Sequence, residues 1–203
     1  MSNAFIFPGQ GSQEVGMGKA LADNFQAARD VFGEVDEALG EKLSALMWEG
    51  PKEDLTLTQN TQPALMAHSM AVMRVLETEF GISVKGNAAY VAGHSLGEYS
   101  ALAAAGTFSV GDAARLLRTR GEAMQRAVPV GQGAMAALLG VGLEAAEKVA
   151  AAAAEAGGVC QVANDNDPTQ VVLSGSKEAV DRGAEIGKAH GVRRAVPLPV
   201  SAP

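Results

Sequence analysis

A short apolar run, Ala88 to Ala92, ends abruptly at Gly93-His94-Ser95-Leu96-Gly97 and gives way to helical apolar spacing as far as Gly106. Strand, sharp turn and helix in immediate succession leave few folds open, because such a junction belongs at the C-terminal edge of a sheet in an α/β protein. A second run, Ala4 to Phe7, stops at Pro8-Gly9 and enters the glycine-rich loop Gly9-Gln10-Gly11-Ser12-Gln13. Both runs read as buried strands. If they are parallel neighbours, their C-terminal loops meet at the edge where α/β sheets bind ligands.

The remaining pattern fills in the architecture. Helical spacing runs from Gly16 to about Leu39, and Pro63 is expected to open a helix that ends at Gly81. That helix places Leu65, Met66, Met70, Met73, Leu76 and Phe80 on one side, where the methionines read as core filling. Ser109 and Asp112 form a capping box for a helix to about Ala127, and Pro129 and Gly131 break the chain after it. Beyond the break the pattern predicts strand 134–139, helix 143–156 and strand 159–163, then a turn at Asn164-Asp165-Asn166-Asp167-Pro168. Strand 170–174, helix 177–189 and strand 192–196 follow. This β-α-β-β-α-β order is the ferredoxin-like one, read as a small domain at 129–196 inserted into a larger α/β body of residues 1–128 and 197–203.

Composition excludes several classes. With 203 residues the chain is long enough to bury roughly 70% of its unfolded surface. Hydrophobic content of 47% and charged content of 19% argue against disorder and fibrous repeats. A net charge of −7 with only 4% aromatics weighs against nucleic-acid binding. Cys160 is the sole cysteine, so no internal disulfide forms. No signal-peptide pattern and no apolar window long enough for a bilayer is present, and a cytoplasmic, membrane-free setting is expected.

The chemistry concentrates on few residues. Gly93 to Gly97 fits Gly-x-Ser-x-Gly, in which a strained turn pushes the serine hydroxyl outward between small neighbours. Ser95 is read as a nucleophile, the alternative being an N-capping serine. The Leu96 backbone N–H, at the helix start, is then placed to donate to an oxyanion. A second donor is expected from the Gly9–Gln13 loop; a phosphate cradle there would call for Gly-Lys-Ser/Thr, which is absent. Helical phase sets Arg120 amid a stripe of Ala113, Leu116, Leu117, Met124 and Ala127, with Arg115, Arg118, Glu122 and Arg126 on the opposite face. A guanidinium so placed needs a carboxylate, either a core Asp or Glu or an acidic substrate held bidentately. Nucleophile and arginine together point to acyl transfer from an acid that keeps a second, free carboxylate. None of His68, His94 and His190 stands out as the general base.

Six segments carry a resemblance: Phe7 to Gln13, Thr61-Gln62-Pro63-Ala64-Leu65, Gly93 to Tyr99, Arg120-Gly121, Gly133 to Ala137 and Pro197-Leu198-Pro199-Val200-Ser201. In this order and spacing the chain resembles the malonyl-CoA:acyl-carrier-protein transacylases along essentially its whole length. The resemblance implies a hydrolase-like parallel-sheet core with an inserted ferredoxin-like subdomain. It makes Ser95 the acyl-accepting nucleophile, the amides of Gln10 and Leu96 the oxyanion hole, and Arg120 the clamp on the malonyl carboxylate. His94 and Gln62 would line the pocket, and Asn164 would approach it from the small domain. Malonyl-CoA and acyl carrier protein are the implied partners of a monomeric enzyme using no metal or redox cofactor. The family's catalytic histidine would fall two residues beyond Pro203, so the chain is expected to be an N-terminal portion lacking the last part of the core. A serine esterase or thioesterase, or a non-catalytic scaffold, are the competing expectations. Lys177, Arg182, Lys188, Arg193 and Arg194 are candidates for a basic patch facing an acidic carrier protein.

Overall fold

The computed structural model describes residues 3–203 as a mixed α/β chain of two compact units, the first ending at Ala123 and the second Met124–Pro203. The first unit begins with strand β1 (Ala4–Phe7), followed by helices α1 (Lys19–Asn24), α2 (Gln26–Leu39), α3 (Leu43–Glu49), α4 (Lys52–Thr56), α5 (Thr58–Phe80) and α6 (Val84–Asn87). Strand β2 (Tyr90–Gly93), α7 (Leu96–Ala104) and α8 (Val110–Ala127) complete the run, the unit boundary falling in the last turn of α8. β1 and β2 pair in parallel, with Phe7 opposite Gly93.

The long helix expected from Gly16 to Leu39 is two helices. Phe25 between them is extended (φ −126°, ψ 125°), and the Arg29 guanidinium donates to the Ala22 carbonyl at the end of α1. That side-chain bond supplies what a continuous helix would have taken from backbone N–H groups. Pro63 does not open a helix either: α5 starts five residues earlier, at Thr58. Thr61 Oγ1 donates to the Leu55 carbonyl at 2.6 Å, fastening this added turn to the end of α4. Short helices α3 and α4 occupy a stretch that the apolar pattern leaves unassigned. Asp36 anchors the first of them, its buried carboxylate accepting from Ser44 N at 2.9 Å and Ser44 Oγ at 2.7 Å.

The core lies where α2, α3, α4, α5, α7 and α8 converge, on Val31, Phe32, Val35, Leu43, Met47, Leu55, Met66, Leu96 and Leu117. Met66 and Met70 are buried there, whereas Phe80, expected on the same face, is 64% exposed because the last turn of α5 runs past the core. The two strands are not buried as expected: Ile6 is 76% and Tyr90 73% exposed, since no helix among the described residues covers their outer face.

The second unit contains β3 (Gly133–Leu139), α9 (Leu143–Glu155), β4 (Cys160–Asp167), β5 (Gln170–Ser176), α10 (Lys177–Ile186), a short 3₁₀ turn at Gly187–His190 and β6 (Arg194–Pro197). Its antiparallel sheet has the order β4-β5-β3-β6. Leu138, Val149, Ala153, Val171, Leu173 and Val180 make its core. The five-residue turn expected at 164–168 is largely strand. Asp167 Oδ1 accepts from Thr169 N at 2.7 Å and Thr169 Oγ1 at 2.8 Å, so the reversal needs only Pro168 and Thr169. The polar residues are tolerated because β4 is an edge strand, with register shifts between Val162 and Asn164 and between Asp165 and Asp167. The last helix and strand are also shorter at their junction: the 3₁₀ turn and Gly191 (φ 87°) delay β6 to Arg194. No helix of the described residues is long and apolar enough to cross a membrane.

Candidate active site

The site in the first unit is built on the paired ends of β1 and β2. Since Phe7 lies opposite Gly93, Gln10 and Leu96 each sit three residues beyond the last rung of the ladder. Immediately before Leu96 stands Ser95, at φ 55° and ψ −112° the only non-glycine residue with positive φ among those described. An L-residue held there costs about 1–3 kcal/mol, and strain of this kind collects at functional sites.

The flanking glycines explain how the turn is enforced. A Cβ on Gly93 would lie 1.9 Å from the Gly97 carbonyl carbon, and one on Gly97 would lie 2.3 Å from the Phe7 carbonyl oxygen. A Cβ on Gly9 would lie 2.6 Å from His94 Nδ1. Three chain segments are therefore in backbone contact around the serine. His94 N donates to the Phe7 carbonyl at 3.2 Å, and Gly97 N to the His94 carbonyl at 2.9 Å.

Leu96 begins α7, so its N–H has no carbonyl partner within the helix, and its side chain is 1% exposed. The Gln10 backbone is steadied from its own side chain, whose Nε2 donates to Thr58 Oγ1 at 3.3 Å at the start of α5. The same loop closes on itself through Gly11 N to Gln13 Oε1 at 2.8 Å.

Arg120 comes to the serine from α8. Its Nη2 donates to Ser95 Oγ at 3.0 Å and its Nη1 to Gln62 Oε1 at 2.6 Å, with Gln62 fully buried on α5. The guanidinium carbon lies 5.9 Å from the Tyr99 ring centroid, and Tyr99 stacks at 6.4 Å on Phe108. Arg120 makes no ion pair with any described carboxylate; its hydrogen-bond partners are an amide and a hydroxyl. A cation so held, beside an exposed hydroxyl on a strained turn, has the chemistry to receive an anionic group.

Helical phase needs correction on two points. The buried stripe of α8 is Val110, Ala113, Ala114, Leu117 and Gly121, while Leu116 is 44% exposed. Arg120 lies on one border of that stripe. Arg118, expected on the outer face, lies on the other border, where it bonds Asn60 and the Glu41 carboxylate.

Ser95, Arg120, Gln62, Gln10, Leu96 and His94 thus belong to one constellation, and Asn164 lies half-buried on β4 of the second unit opposite Val172. Tyr99 and Thr58 were not expected. Tyr99 was legible as the residue four beyond Ser95, hence one helical turn away on the same face. Thr58 carried no sequence signal. No histidine among the described residues bonds the Ser95 hydroxyl. His68 is a poor base here, its Nδ1 buried without a partner and burial pushing the ring below the usual histidine range. In the second unit, Arg182 donates to the carbonyls of Ala153 and Gly157 and Lys177 pairs with Asp181 at 2.7 Å. These two cations are engaged within the unit, whereas Lys188, Arg193 and Arg194 are exposed.

A family model described as an acyl transferase domain matches residues 4–197. The malonyl CoA-acyl carrier protein transacylase of Bacillus subtilis (strain 168) is 50% identical over 200 residues, covering 98% of this chain and 62% of that protein. The Escherichia coli (strain K12) protein of the same name is 48% identical, covering 98% and 63%. The crystal structure of an acyl-carrier-protein-S-malonyltransferase from Bartonella henselae superposes with a TM-score of 0.92 at 59% identity, over all of this chain and 64% of that one. A malonyl-transacylase solved in complex with its type II PKS acyl-carrier protein superposes at 0.91 with 43% identity, over 100% and 64%. The chain therefore spans a little under two thirds of the length of these relatives. The match across 4–197 includes the strained serine turn and the arginine facing it, and the chain belongs to the acyl transferase domain family.

Proposed function

We propose that this chain carries the acyl-binding site of a malonyl-CoA:acyl-carrier-protein transacylase. One observation carries the reading: Arg120 holds Ser95 Oγ at 3.0 Å without a carboxylate of its own. The malonyl carboxylate completes that ion pair and sets the thioester carbonyl against the serine. Ser95 Oγ attacks, its C–O bond forms as the C–S bond to CoA breaks, and CoA leaves as the thiol. The phosphopantetheine thiol of the carrier protein then attacks the serine ester, and the serine hydroxyl is restored. The amides of Gln10 and Leu96 stabilise the oxyanion in both halves. The serine's proton ends on the departing CoA sulfur, and the carrier thiol's proton ends on the serine oxygen. No atom changes oxidation state, so the exchange needs no redox cofactor.

The fold assignment that accompanies this reading is a hydrolase-like core with a ferredoxin-like subdomain, supported by the β3-α9-β4-β5-α10-β6 order and the β4-β5-β3-β6 sheet. The esterase reading is weaker, because a neutral ester gives the Arg120 guanidinium no partner.

Intact mass after incubation with malonyl-CoA tests the proposal. The expected result is one malonyl group on Ser95, removed by the carrier-protein thiol. Release of the acyl group chiefly as free malonate would make the protein a hydrolase instead. Exposed Arg193 and Arg194 are proposed to meet the acidic carrier. Reversing both charges should raise the carrier KM about tenfold at low salt and leave the malonyl-CoA KM unchanged. An unaltered carrier KM would remove the patch.

A further inference from the structure

Arg118 and Arg120 stand two residues apart on α8, and their partners Asn60 and Gln62 stand two residues apart on α5. Residues so spaced on a helix point about 200° apart, so the two guanidiniums leave opposite borders of α8. Gly121 sits between them against α5, where a Cβ would lie 2.5 Å from Gln59 Cα and 2.8 Å from the Thr58 carbonyl oxygen. The helices therefore touch backbone to backbone, with one arginine reaching round each flank of the contact.

A backbone contact through glycine puts no interlocking side chain at the point of touch, so the side chains on its two flanks help to set the roll of the helix. Rolling α8 in either direction would lift one arginine from α5 and press the other. The two rungs oppose each other, and only one orientation satisfies both. Arg118 has a second hold, on the Glu41 carboxylate between α2 and α3, and is itself only 15% exposed. Arg120 has no such anchor, because its second terminal nitrogen donates to Ser95.

Building on the transacylase reading, we propose that Arg118, held by Asn60 and Glu41, is a positioning residue that fixes the roll of α8 and thereby aims Arg120 at the acyl carboxylate. Arg118 touches neither substrate nor Ser95. Its effect is confined to substrates that use Arg120, because a neutral acyl group gains nothing from the aim of a guanidinium. A small misplacement of a charged clamp is expensive in binding and in rate.

The test measures binding of non-transferable thioether analogues of malonyl-CoA and acetyl-CoA to the full protein by calorimetry, with a thermal melt for each variant. The wild type should favour the malonyl analogue, and Arg120→Ala should erase the preference. Arg118→Ala and Asn60→Ala should each lower the preference on the order of tenfold, with the acetyl analogue bound as before. Arg118→Lys, which keeps the charge but not the planar fork, should restore it only in part. In an Arg120→Ala background, Arg118→Ala should change nothing further.

If Arg120→Ala erases the preference while Arg118→Ala and Asn60→Ala both leave it intact, the positioning role is wrong. It is also wrong if Arg118→Ala weakens both analogues equally, since that is the mark of a purely structural residue. Asn60→Ala keeps the Arg118 ion pair with Glu41 and supplies the measurement should Arg118→Ala fail to fold. A wild type that binds both analogues alike would overturn the transacylase reading itself, a result distinct from either failure above.

Discussion

Replacing Ser95 by alanine is expected to abolish covalent uptake of malonyl from malonyl-CoA, with transfer to a carrier thiol falling about 10⁴-fold or more. The hydroxyl is the only one on the turn, and it accepts a hydrogen bond from Arg120 at 3.0 Å. Alanine leaves the backbone contacts of Gly93 and Gly97 intact, and Arg120 keeps Gln62 as a partner. Binding of malonyl-CoA should therefore survive while acylation is lost. Mass spectrometry of the intact protein separates the two, and residual labelling at any other residue in Ser95→Ala would remove Ser95 from its role.

Arg120→Ala should cost about 10²-fold in malonyl transfer and only a fewfold in acetyl transfer. Hydrogen bonds to a charged partner are each worth about 1.5–3 kcal/mol, and a carboxylate on a guanidinium makes two of them. The alanine also removes a donor from the fully buried Gln62, which should lower stability by about 1–2 kcal/mol. Comparing kcat/KM for malonyl-CoA and acetyl-CoA isolates the part specific to charge. Equal losses on the two substrates would make Arg120 a structural residue.

The serine turn was legible because its physics is local: small residues at 93 and 97 and an apolar run before them leave the chain one way to go. Arg120 was legible as a cation turned toward the protein, yet helical phase misplaced it in mid-stripe and overlooked Arg118 on the opposite border. Phase counts side chains by direction, and long side chains on either border of a stripe reach inward regardless of it. The centre of the contact is Gly121, which carries no hydrophobic signal. Pro63 misled for a related reason. Proline favours a first turn but tolerates a later one when tertiary bonds, here Thr61 to the Leu55 carbonyl, secure the turns before it. The Asn-Asp run at 164–167 reads as a turn in isolation and becomes strand because the edge of a sheet accepts polar side chains. Burial of Ile6 and Tyr90 was a prediction about neighbours rather than about the strands themselves.

The left-handed backbone at Ser95 gives selection two opposing interests. Glycine adopts φ 55° freely, so Ser95→Gly would relieve roughly 1–3 kcal/mol of strain and make a more stable protein. On the transacylase reading, a mutation that relieves this strain is thus also one that disarms the site. On that reading, lineages released from the demand for acyl transfer would be expected to drift toward glycine at this position.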